Sequence, residues 1–71
     1  MDLKEIVGEE IRKRRIEKGW SRVRLSLKIG ATSDGTTVKL WEQGESAPSA
    51  YFLCMLADAL ECSVDELLGR K

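Results

Sequence analysis

The stretch GATSDGTTVKLWEQG, residues 30–44, decides how this chain folds. Gly30 to Thr37 runs glycine, four residues, glycine, two threonines, close to a phosphate-binding loop that would need lysine where Thr36 stands. Such a loop follows a strand. Here the preceding residues, RVRLSLKI, continue a helix opened at Ser21, and 71 residues cannot supply the surrounding sheet. The alternative is helix, turn, helix, with Asp34 as N-cap of the second of these helices. Asp is among the best N-caps, its carboxylate meets the positive end of the helix dipole, and its loss is expected to cost ~1 kcal/mol. Gly35, Thr36 and Thr37 are poor helix formers, so burial of Val38 and Trp41 must hold the helix. Its small polar N-terminal residues are then free for work other than stability.

Working outward, the chain divides into five helical segments with no strand pattern, expected near residues 3–18, 22–29, 35–43, 50–60 and 64–69. The first opens on a capping box between Asp2 and Glu5, carries Leu3, Ile6, Val7 and Ile11 at helical spacing, and stops at Gly19. Ser21 caps the second, which carries Leu25 and Ile29 and ends at Gly30. Pro48 and Ser49 open the fourth, with a stripe of Leu53, Leu56, Ala57 and Leu60. Ser63 and Glu66 form a second capping box before a short last helix with Leu67 and Leu68 turned inward. The expected fold is a compact all-α domain occupying residues 1–71.

Composition removes whole classes of function. There is no histidine, so histidine-dependent triads and Cys/His zinc sites are excluded; no nucleophile stands with a base, and neither enzymatic activity, metal nor cofactor is expected. If Cys54 and Cys62 share the fourth helix they lie ~12 Å apart along its axis, beyond disulfide reach. A reduced, cytoplasmic protein fits best. The N-terminal MDLKEIVGEE has acids where a signal peptide needs bases, and AYFLCMLADAL is too short to span a bilayer. Formal net charge is zero, yet Arg12 to Lys28 holds eight basic residues against one acid, and from Glu42 to Glu66 every charged residue is acidic. Such polarity suits orientation on a polyanion; it also describes a solvated helix face.

RRIEKGWS, LSLKIG, TTVKLWEQGESAPS and LADALECSVDELL together, in this order and spacing, resemble the Cro and cI type of helix-turn-helix domain, the lambda-repressor-like or Xre family. The likeness runs from about residue 7 to 68. It implies a five-helix DNA-binding domain with helix-turn-helix, acting as a transcriptional regulator, usually a repressor, on double-stranded DNA and commonly as a homodimer. Arg15 and Glu42 match residues that pair across the first and third helices in such domains; the alternative is two unrelated surface charges. DNA contact is implied for Ser21 and Arg22, for Gly35, Thr36, Thr37, Lys39 and Leu40, and for Gln43 to Ser46 in the following loop. Arg22 and Lys39 suit phosphates, Thr36 a base edge or thymine methyl, and Leu40 apolar contact. With no obvious bidentate reader, greater reliance on phosphates and DNA shape is expected.

This chain departs from the family pattern in several places. The turn ATSD is two residues longer, expected as a looser loop rather than added helix. Asp34 and Glu45 bring acids near the implied phosphate path, and Glu61 stands where the family has glycine, at a cost if its φ is positive. Tyr51, Phe52 and Met55 make the fourth helix apolar on nearly every face: either they cover the loop GESAP, or they form a homodimer or partner surface. A protein-interaction module on the same fold, such as an antitoxin or bridging factor, is the alternative to a DNA regulator.

Overall fold

The computed structural model describes residues 2–70 as five helices, with no strand among those residues: α1 (Leu3–Glu17), α2 (Arg22–Ile29), α3 (Thr36–Glu42), α4 (Ala50–Leu60) and α5 (Val64–Leu67). Four of them begin on a side-chain cap. Asp2 Oδ1 accepts from the Glu5 amide at 3.0 Å while Glu5 Oε1 accepts from the Asp2 amide at 3.3 Å. Ser21, Ser49 and Ser63 hydroxyls accept from the amides of Arg24, Phe52 and Glu66, and Glu66 returns the bond to Ser63. Each removes a donor that the helix cannot satisfy itself.

Several ends differ from expectation. Helix α1 closes one residue early, with Lys18 as its cap, and α5 stops at Leu67 because Leu68 already leaves helical geometry. Helix α3 spans 36–42, with Gly35 and Gln43 as its caps. Asp34 is not the N-cap. The chain enters α3 through Gly35 at φ 78°, a left-handed conformation that favours glycine, and Asp34 lies one residue outside. A β-carbon on Gly35 would also lie 3.0 Å from Val23 N and 3.1 Å from the Arg22 carbonyl carbon, so glycine allows α3 to start directly against α2. Cys62 falls beyond α4 rather than on it, and both cysteines are free thiols.

The lengthened turn adds no helix. The buried Ser26 hydroxyl donates to the Thr32 carbonyl, and the Ala31 amide donates to Ser26 O at 2.9 Å. Thr32 Oγ1 accepts from the Thr37 amide at 3.3 Å, and Asp34 Oδ1 from the Thr36 amide at 3.0 Å. Side-chain bonds thereby tie the longer loop down, and Val38 and Trp41 remain buried.

The core unites Val7 and Ile11 of α1, Leu25 and Ile29 of α2, Val38 and Trp41 of α3, Leu56, Ala57 and Leu60 of α4, and Leu67 of α5. Leu53 and Leu68 are partly buried against it, Ile6 is half-buried, and Leu3 in the first turn is exposed. Ile16, expected as the core position that Arg15 abuts, is 50% exposed. Five residues beyond Ile11, it is rotated ~140° around the helix, away from the buried stripe. No helix among the described residues is long and apolar enough to cross a membrane.

Glu61 caps α4 at φ 56°, ψ 50°, and is the only positive-φ residue other than glycine among those described. Left-handed backbone costs roughly 1 kcal/mol or more for a residue with a β-carbon. Its carboxylate accepts from Lys18 Nζ, which holds the carboxyl below the usual range, but this contact is solvent-exposed and worth little. Glu61→Gly is therefore expected to raise the melting temperature by a few degrees. An unchanged or lowered midpoint in a thermal melt would mean that the Lys18 contact outweighs the backbone term.

Candidate nucleic-acid interface

Helix α3 turns Val38 and Trp41 inward, which leaves Thr36, Lys39, Leu40 and, at its C-cap, Gln43 exposed. Its start abuts the start of α2. Ser21, Arg22 and Val23 therefore stand opposite Asp34, Gly35, Thr36 and Lys39, and with Arg15 they line an open cleft of about 710 Å³. Five of the residues with implied DNA contacts, Ser21, Arg22, Gly35, Thr36 and Lys39, are brought together here. Leu40 and Gln43 are exposed but outside the cleft; Thr37 is half-buried, and Ser46 is half-buried in the loop after α3.

Next to this cleft lies a buried charge network. Glu42, whose side chain is 1% exposed, accepts from Arg15 Nε at 2.6 Å and from Arg15 Nη2 at 3.0 Å, a bidentate fork. Arg15 Nη1 donates to the Trp20 carbonyl at 2.8 Å. Arg22 Nε also donates to Glu42, at 3.0 Å, so one carboxylate joins α1, α2 and α3. This third bond is not legible in the sequence, where Arg22 reads only as a free phosphate ligand. The arrangement fixes the pose of Arg22, which remains partly exposed, at the start of α2.

Asp34 brings the opposite sign to the cleft. Its carboxyl is held below the usual range chiefly by the bond from the Thr36 amide. At the far side of α3, the suggested interface on α4 divides. Phe52 and Met55 pack against the core, Phe52 tilted against Trp41 with ring centres 5.5 Å apart, and only Tyr51, at 65%, is exposed. Core coverage thus accounts for two of the three residues.

The helix-turn-helix family profile matches residues 11–67. Among curated proteins, the cryptic phage CTXphi transcriptional repressor RstR of Vibrio cholerae serotype O1 is 51% identical over 35 residues, which make up 49% of this chain and 31% of that protein. The match thus spans less than a third of the curated relative. Among solved structures, the P22 c2 repressor in complex with a synthetic operator is 31% identical with a TM-score of 0.86, covering 100% of both chains. The restriction-modification controller protein C.AhdI from Aeromonas hydrophila is 28% identical with a TM-score of 0.82, covering 90% of this chain and 94% of its own. A shared profile over most of the chain and a full-length likeness to the P22 c2 repressor agree with the five-helix geometry: the chain belongs to the Xre-type, lambda-repressor-like helix-turn-helix family.

Proposed function

We propose that this protein is a sequence-specific DNA-binding transcriptional regulator, acting as a repressor in the cytoplasm, with α3 placed in the major groove. The observation that carries this is the cleft in which the starts of α2 and α3 meet, with Arg22 and Lys39 beside the exposed small residues of α3. Its likeness to repressors supports the same reading. Arg22 and Lys39 take phosphates, Ser21 and the loop residues Gln43 and Ser46 hydrogen-bond the backbone, and Thr36, Thr37 and Leu40 approach the base edges. Two copies related by a two-fold axis would read half-sites one helical turn apart, roughly 34 Å. No step of this function calls for a catalytic group or cofactor.

Gel shifts across a salt series test the assignment. Counterion release makes the affinity fall linearly with salt on logarithmic axes, and removing one cation that binds a phosphate reduces the slope by about one. Lys39→Ala and Arg22→Ala are each expected to do so. Slopes equal to that of the unaltered protein would place the DNA elsewhere.

A further inference from the structure

Phosphate binding leaves Asp34 unexplained. It is an exposed carboxylate in a cleft whose other charged side chains are cations, yet none of the ion pairs among the described residues includes it. Arg15 and Arg22 turn to Glu42 instead. The first amides of α3 are already taken by protein oxygens, Thr36 N–H by Asp34 and Thr37 N–H by Thr32. A phosphate approaching this end of α3 meets a negative charge standing before occupied donors. The same bonds hold the carboxylate in place, because the Ser26 hydroxyl on the Thr32 carbonyl braces the turn that carries it.

Asp34 already accepts from the Thr36 amide, and a carboxylate has only acceptor sites left to offer, so a group that meets its exposed side must bring a donor. On the floor of the major groove the donors are the exocyclic amines of cytosine and adenine. Adenine sets N6 beside N7, an acceptor that repels a carboxylate, whereas cytosine presents N4 with no acceptor of its own beside it. We propose that Asp34 is a specificity-determining residue that reads a cytosine through its N4 amine at one position of each half-site. This rests on the cleft being the DNA-facing surface. The acid then works by selection: over any other base its charge is unmatched, and over cytosine it gains a hydrogen bond.

The test is selection from a pool of randomised duplex DNA with the full chain and with Asp34→Asn. Asparagine keeps an oxygen for the Thr36 amide, and a thermal melt shows whether the variant is folded. Because Asn pairs bidentately with adenine N6 and N7, the preference should move from cytosine to adenine at one position, with a change on the order of tenfold in relative affinity and the other positions unaltered. Enriched sites identical for the two proteins would overturn the proposal while leaving the DNA-binding reading intact. So would a uniform gain in affinity for all sequences, which would make Asp34 only a repulsive charge. If the unaltered chain enriches no site and shows no salt slope, both readings fall together.

Discussion

Gly8→Ala is expected to lower the melting temperature by roughly 5–15 °C, although helix propensity alone predicts the reverse. Inside α1, alanine is favoured over glycine by about 1 kcal/mol. Here, however, α1 lies on the backbone of α3. A β-carbon on Gly8 would overlap the carbonyl oxygen of Trp41 and approach the Glu42 Cα to 3.2 Å. Those atoms cannot swing aside as a flexible side chain would, so α1 and α3 must separate. Overpacking of this kind costs about 1–3 kcal/mol and sometimes more. Each kcal/mol of destabilisation shifts the midpoint of a domain this size by roughly 4–8 °C. Thermal unfolding followed by circular dichroism measures it directly; a midpoint raised by a few degrees would show that propensity wins. The displacement would also move Trp41 and Glu42, so DNA affinity should drop under conditions where the variant is still folded.

The second large effect is expected at Glu42. Replacing it by alanine leaves Arg15, with a side chain only 12% exposed, bonded to the Trp20 carbonyl but without its counter-charge. Breaking one side of a buried pair costs about 3–5 kcal/mol. At roughly 0.05–0.15 kcal/mol per residue, that is a large share of what a chain of this length can have. Removing both charges is a different experiment. Arg15→Met combined with Glu42→Leu is expected to recover much of the stability, because two apolar side chains of similar volume carry no desolvation penalty. Arg22, on the exposed side, can return to water. Chemical denaturation of Arg15→Met, Glu42→Leu and the double variant closes a thermodynamic cycle. Additive effects would mean that Arg15 and Glu42 act independently despite their 2.6 Å contact.

These two sites also mark how far the sequence can be read. The capping residues Asp2, Ser21, Ser49 and Ser63 and the periodic core residues place the helices to within one or two residues at most ends. Their information is local, carried within four residues of chain. Arg15 and Glu42 are connected through family likeness, and only the fold adds Arg22 to the same carboxylate. Nothing local marks Gly8, because a close helix crossing depends on a partner more than thirty residues away. The expectation of Asp34 as N-cap misses by one position for a similar reason. Its side chain is a good cap, but the left-handed entry at Gly35 is set by the nearness of α2.

What the sequence determined by itself was an all-α chain of five short helices, with a weak third helix dependent on Val38 and Trp41 and a charge imbalance along its length. Caps, breaks and apolar spacing are written in neighbouring residues. Tertiary structure alone decided which charges meet, how the long turn is closed by Ser26, Thr32 and Asp34, and that the starts of α2 and α3 form one cleft. Each of these depends on the separation and angle between helices, which arise from packing the whole core and from no single segment.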